Sequence, residues 1–162
     1  MHLLRFLALL FTLALLSPSA HAQDGKIAIQ KYNYAEWTKG IFSEATTVTI
    51  GTTKFIYLAG IGAEDENGPR GKIRNPGDFV EQCKYSYDKI KRALAANGAQ
   101  LSDAVKITTY MTDLRFRLDM GKCIGASWGG VTFPSHTLIG VAALAFPEMI
   151  VEVDVTAVVQ AK

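Results

Sequence analysis

Residues 78–114 read DFVEQCKYSYDKIKRALAANGAQLSDAVKITTYMTDL. Two periodicities meet in this stretch. Phe79, Cys83, Tyr87, Ile90 and Leu94 recur at spacings of 4, 4, 3 and 4, which puts them on one face of a helix. Asp78 stands where an N-cap is needed, and Glu81 three residues later completes a capping-box pattern. Asn97-Gly98 is a stop signal. The spacing predicts a helix over 78–97. From Ala104 to Met111 the period changes to two, which predicts a strand closed by Thr112-Asp113. Lys84, Lys91 and Arg92 fall mostly off the apolar stripe and read as a solvated helix face rather than a nucleic-acid patch.

Working outward, Ser43–Ile50 is rich in β-branched residues, Gly51-Thr52-Thr53 is a turn signal, and Lys54–Gly60 is a second strand. Together they predict a hairpin. The glycine- and proline-rich stretch 62–77 predicts a surface loop. Leu114–Trp128 suggests a shorter helix, with Leu118, Cys123 and Ile124 as its apolar positions and Gly129-Gly130 as its end. Ser135–Val141 and Ile150–Val159 predict two more strands. In the last, Val151, Val153, Val155, Ala157 and Val159 line one face and Glu152, Asp154 and Thr156 the other. The order β, β, α, β, α, β, β is that of an α+β domain, a mixed sheet with two helices packed on one face.

The chain has 162 residues, 49% hydrophobic and 20% charged, which excludes intrinsic disorder, collagen-like repeats and a disulfide-dense miniprotein. Residues 1–22 are read as a secretory signal peptide. Arg5 is the early charge, Phe6–Leu16 is an apolar run too short to span a bilayer, and Ala20-His21-Ala22 is an Ala-x-Ala site before Gln23. Periplasmic or secreted localisation is expected, with no membrane association after cleavage. Residues 23–39, with Tyr32, Tyr34 and Trp37, form an N-terminal arm or short strand, and 40–162 form the main domain. With 17 basic against 15 acidic residues there is no large field to attract nucleic acid. An oxidising compartment allows a disulfide between Cys83 and Cys123. Their apolar-face positions on two predicted helices favour buried free thiols.

The residues offer little chemistry on their own. Glu152 and Asp154 are i and i+2 on a strand, so both carboxylates project to one side. Such a pair can do acid/base work, or it can be a solvated sheet face or a subunit contact. His136 is the one histidine outside residues 1–22. No metal-ligand spacing, Gly-x-Ser-x-Gly, phosphate loop or dinucleotide fingerprint is present, so neither a metal nor a cofactor is expected.

From Gly40 to Val159 the chain resembles the RidA/YjgF/UK114 family of reactive-intermediate (enamine/imine) deaminases. Gly40–Ala45 stands where that family has Gly-Pro-Tyr-Ser-Gln-Ala, and Phe55–Ile61 is like its strand ending in Ser-Gly-Gln. The helix over 78–98, the Ala99–Ser102 turn, Asp103-Ala104-Val105-Lys106 and Thr112-Asp113-Leu114 follow the family order. Phe133-Pro134-Ser135 is similar to its Pro-Ala-Arg region, and Ile150–Asp154 to its Val-Glu-Ile-Glu strand. The resemblance implies a chorismate-mutase-like fold and a homotrimer with small-molecule clefts between subunits. Inward-packed sheets would then be an alternative burial partner for Val151, Val153 and Val155. It also implies hydrolysis of 2-imino acids, with an arginine clamping the substrate carboxylate and a glutamate positioning water.

This chain departs from that pattern. His136 aligns with the clamp arginine, Phe42 with the cleft tyrosine, and Arg115 follows Thr-Asp-Leu where asparagine is common. Glu152 is kept. The candidate site is therefore His136 and Glu152 as catalytic residues, with Phe42, Arg115 and His136 binding substrate. Two readings stay open: an exported imine or enamine hydrolase, and a non-catalytic small-ligand-binding trimer of the same fold.

Overall fold

The computed structural model describes residues 26–161; the expected signal peptide, residues 1–22, lies outside them. The chain forms strands β1 (Ile27–Tyr32), β2 (Ala45–Ile50) and β3 (Thr53–Ile61), helix α1 (Phe79–Ala96), strand β4 (Ala104–Met111), helix α2 (Arg117–Trp128), and strands β5 (Ser135–Gly140) and β6 (Val151–Gln160). The strands make one six-stranded sheet in the order β1-β2-β3-β6-β4-β5. Neighbours are antiparallel except β4 and β5, which are parallel and joined across α2. Of the two readings for the N-terminal segment, residues 27–32 take the strand: β1 pairs along β2 from Ile27↔Ile50 to Tyr32↔Ala45.

Helix α1 follows its sequence pattern closely. The Asp78 carboxylate accepts a hydrogen bond from the Glu81 amide at 3.0 Å. Phe79, Cys83, Tyr87, Ile90 and Leu94 are all buried against the sheet and α2. Gly98, in the left-handed region at φ +76°, ends the helix. Gln82 stitches α1 to the chain before β6, donating to the Glu148 carbonyl at 2.8 Å and accepting from the Ile150 amide at 3.0 Å.

Helix α2 starts later than expected, because a 3-10 turn covers Leu114–Phe116. Met120, Cys123, Ile124 and Trp128 are buried, whereas Leu118, expected on the apolar face, is 70% exposed. At 3.6 residues per turn Leu118 lies about 200° around the helix from Met120, so it faces water once the stripe from Met120 to Trp128 docks. The expectation of free thiols is also corrected. Cys83 and Cys123 form a disulfide joining α1 to α2, at a sequence separation of 40. Two apolar stripes that pack together bring residues of both within bonding range, which the spacing of either helix alone does not reveal.

Both helices cover the same sheet face, and within the single chain Val151, Val153 and Val155 are 0–2% exposed there. Burial of these valines against another subunit is thus ruled out by the helices that already occupy them. The opposite face is bare. Along it run Ile27 and Ile29 beside Ile50 and Val48, then Phe55 and Tyr57, then Thr156, Asp154 and Glu152. No helix among the described residues is long and apolar enough to cross a membrane.

Candidate active site

A cavity of about 330 Å³ opens beside the bare sheet face, at one end of β3 and β6. Glu152 of β6 and Ala59-Gly60 of β3 line it. A β-bulge makes room for this: Leu58 pairs with Val155 but Ile61 with Val153, so β3 carries one extra residue opposite Asp154. Gly60 is required by close approach. A Cβ there would stand 2.1 Å from Glu152 Oε1, so any larger residue would expel the carboxylate.

Three aromatic rings wall the cavity. Trp37 meets Phe42 edge-on at 5.9 Å between centroids and Phe146 at 6.1 Å. Glu44 fixes this wall. Its Oε2 accepts from the amides of Tyr34 at 2.6 Å and Ala35 at 2.9 Å, and from the Thr38 hydroxyl at 2.8 Å. The segment before β2 is thereby folded back so that Trp37 faces Phe42.

The far side is the loop between β3 and α1. It is ordered by a bridge between Glu64 and Ile73 and by bonds from the Asp65 amide to the Lys72 carbonyl and from the Arg74 amide to the Ala63 carbonyl, both 2.8 Å. Glu64 and Arg70 of this loop line the cavity. Glu64 is buried and paired with buried Lys89 at 3.1 Å. Lys89 also donates to the carbonyls of Gly62 and Glu64 at 3.1 and 3.0 Å. Desolvation, and then the negative charges of Glu64 and Asp154, push the Glu152 carboxyl above its ordinary value of 4.5, against the opposing pull of Lys89. A carboxyl raised in this way is better suited to accept and return a proton than one at its ordinary value.

The residues expected to form one site divide into two groups. Phe42 and Glu152 line the cavity together. His136 and Arg115 do not line it. His136 pairs with Ile107 across the β4–β5 ladder, and its Nε2 lies 3.1 Å from Thr109 Oγ1, on the helix-covered side of the sheet. Glu152 pairs with Tyr110 and so faces the other way. Burial and the nearby Lys106 cation hold the His136 imidazole below its usual 6.5. Arg115 is 90% exposed in its side chain, and its Nε donates to both carboxylate oxygens of Asp113, at 2.8 and 3.0 Å. Sequence reasoning missed Arg70 and the role of Glu44. Arg70 sits in a loop with no periodic pattern, and Glu44 acts through backbone amides that have no sequence signature. Among the described residues no three of His, Cys, Asp and Glu cluster as metal ligands.

Comparison with known proteins agrees with this architecture. Residues 37–159 match the family model described as Endoribonuclease L-PSP. The chain belongs to this YjgF/RidA family. It is 33% identical over 106 residues to a RutC family protein of Pyrococcus abyssi, an alignment covering 65% of this chain and 76% of the relative. Among solved structures, RidA from the Antarctic bacterium Psychrobacter sp. superposes with a TM-score of 0.65 at 24% identity, covering 85% of this chain and 99% of that one. A YjgF/YER057c/UK114 family member from Mycobacterium tuberculosis gives 0.65 at 23% identity, covering 82% and 100%. These identities speak to the fold. The mixed sheet with two helices is the YjgF/RidA fold, and its strand β6 carries Glu152 into the cavity.

Proposed function

We propose that this YjgF/RidA-family protein hydrolyses small 2-imino acids or related imines in the Glu152 cavity. The observation that carries the reading is the Glu152 carboxylate, desolvated and lodged over Gly60 on the floor of an aromatic-walled cavity. In the reaction Glu152 accepts a proton from water as the oxygen adds to the imine carbon. It returns that proton to the nitrogen to give a carbinolamine, and then carries the hydroxyl proton to the nitrogen as the C–N bond breaks and the C=O bond forms, so the imino acid and water give a 2-oxo acid and ammonia. Aromatic walls exclude bulk water and hold an apolar side chain.

The test is Glu152→Gln, with release of 2-oxo acid from 2-iminobutanoate measured above the enzyme-free rate. Loss of general acid–base catalysis should lower kcat by roughly 10²–10⁴-fold. Because the carboxyl is raised in the fold, it binds its proton more tightly folded than unfolded. It therefore detracts from stability once pH rises through the folded value. Glu152→Gln should then raise Tm at pH 7.5 while it removes activity. In the native protein kcat/KM should fall on acidification with a midpoint above 4.5. It should not rise towards pH 6, since burial and the Lys106 cation disfavour the His136 imidazolium. Binding of a 2-oxo acid without turnover would favour the non-catalytic reading.

The assembly belongs to the same proposal. The bare face exposes Ile27 and Ile29 at 60% each and Ile50 and Tyr57 at 44% each, with Phe55 stacked on Tyr57. A homotrimer that turns these faces inward covers them. Light scattering should give three times the chain mass; a stable monomer at micromolar concentration would overturn it. Export with cleavage before Gln23 is proposed from residues 1–22, and the Cys83–Cys123 disulfide suits an oxidising compartment. Intact mass of the exported protein checks the cleavage.

A further inference from the structure

A second cavity, of about 250 Å³, opens beside α1, and Glu152 does not line it. Its apolar lining is the Tyr34 ring, Ile61, Ala93 and Ala96, of which Ile61 and Ala93 are buried. The Lys89–Glu64 ion pair partitions the two cavities: Lys89 lines this one and Glu64 the other. Most polar groups here are committed. The Lys89 ammonium has three protons, and it donates to the Gly62 and Glu64 carbonyls and to the Glu64 carboxylate. Arg92 pairs with Glu66, which also accepts from the Tyr85 hydroxyl at 3.1 Å. The Tyr34 hydroxyl accepts from the Asn97 side-chain amide at 2.6 Å and donates to the Ala93 carbonyl at 3.4 Å. Glu44 differs. It lines the cavity and has no cationic partner among the described residues. Three donors hold its Oε2, and no donor among the described residues reaches Oε1. Glu44 also stands where the Gly-Pro-Tyr-Ser-Gln-Ala pattern has glutamine, so the charge is this chain's own.

We propose that this cavity binds a small primary amine as its ammonium ion, with the nitrogen at Glu44 Oε1 and an apolar tail against Tyr34, Ile61, Ala93 and Ala96. The charges decide the ligand class. Lys89 and Arg92 each meet an acid, so the uncompensated charge of the lining is the Glu44 carboxylate. An anion would face that carboxylate with no free cation to balance it. An ammonium offers donors only, and the open atom is an acceptor. The apolar lining stabilises a short hydrocarbon tail by removing it from water. All of the lining comes from one chain, four of its residues from α1. The site is separate from the Glu152 cavity and does not require the imine reading.

Calorimetric titration of the native assembly at neutral pH with isopentylamine, and with its uncharged analogue isopentanol, tests the assignment. The amine should bind with a Kd of about 1 mM or lower, and the alcohol at least about tenfold more weakly. Glu44→Gln keeps an oxygen for the Tyr34, Ala35 and Thr38 donors and removes the charge. It should keep the native circular dichroism, weaken the amine by at least about tenfold and leave the alcohol within about twofold. Ala96→Leu, at an exposed position, narrows the cavity without altering its charges and should weaken both probes. Glu152→Gln should leave amine binding within about twofold. No amine binding up to about 20 mM, equal binding of amine and alcohol, or normal amine binding by Glu44→Gln or Ala96→Leu overturns the proposal. If Glu152→Gln abolishes amine binding, the ammonium sits in the other cavity and the proposal is again wrong.

Discussion

Strand β6 carries two different surfaces in one alternating run. Val151, Val153 and Val155 are buried beneath the helices, while Glu152, Asp154 and Thr156 alternate with them on the bare face. The helix side is built from interchangeable apolar groups and is closed by a covalent link. The cavity side is built from groups whose positions are forced one by one: a carboxylate over a glycine, an arginine between Pro69 and Gly71, a tryptophan held by Glu44. The covalent link and the buried apolar core belong to the first surface, and the cavity proposed for chemistry to the second.

The largest effect expected on the helix side is loss of the disulfide. Closing a loop of 40 residues stabilises by about 4 kcal/mol in the chain-entropy account. Cys83→Ser with Cys123→Ser should lower denaturant stability by about that amount. The cavity should be little affected, so activity per folded molecule persists. Comparable loss of activity in the folded double variant would show that the two surfaces are not independent. Gly60→Ala is the converse. It should cost only about 1–3 kcal/mol by overpacking. The displaced Glu152 carboxylate, however, should lower kcat/KM by about 10–100-fold, the scale of a misplacement near 1 Å. A fully active Gly60→Ala would mean that Glu152 works from another rotamer. The smallest effect is at Leu118, whose exposure predicts a change within about 0.5 kcal/mol for Leu118→Ser. A larger loss, read by urea titration of a stable assembly, would reveal that this leucine is covered by something other than its own chain.

Legibility in the sequence follows the same division. Helix α1 was readable to its capping residue, because Asp78, the five-residue stripe and Gly98 are local signals that agree with one another. Strands β2, β3, β4 and β6 were readable from alternation. Leu118 was misread because a helix as short as α2 admits more than one apolar stripe until it docks. Of the site, Glu152 and Phe42 were found through the resemblance and do line one cavity. His136 was found with them but lies on the other sheet face, since pairing with Ile107 rather than Thr108 decides which way its side chain points.

The sequence by itself determined the elements from β2 to β6, their order and the α+β class, because each element rests on a local periodicity, and the order of its motifs pointed to the family. Tertiary structure decided the rest. It paired Cys83 with Cys123, put Glu152 over Gly60 through a bulge of one residue, and brought Arg70 to the cavity while committing Arg115 to Asp113. These are relations between residues far apart in the chain or within irregular loops. Strand register, helix docking and competition among nearby charges set them, and those quantities exist only once the sheet and its loops are assembled.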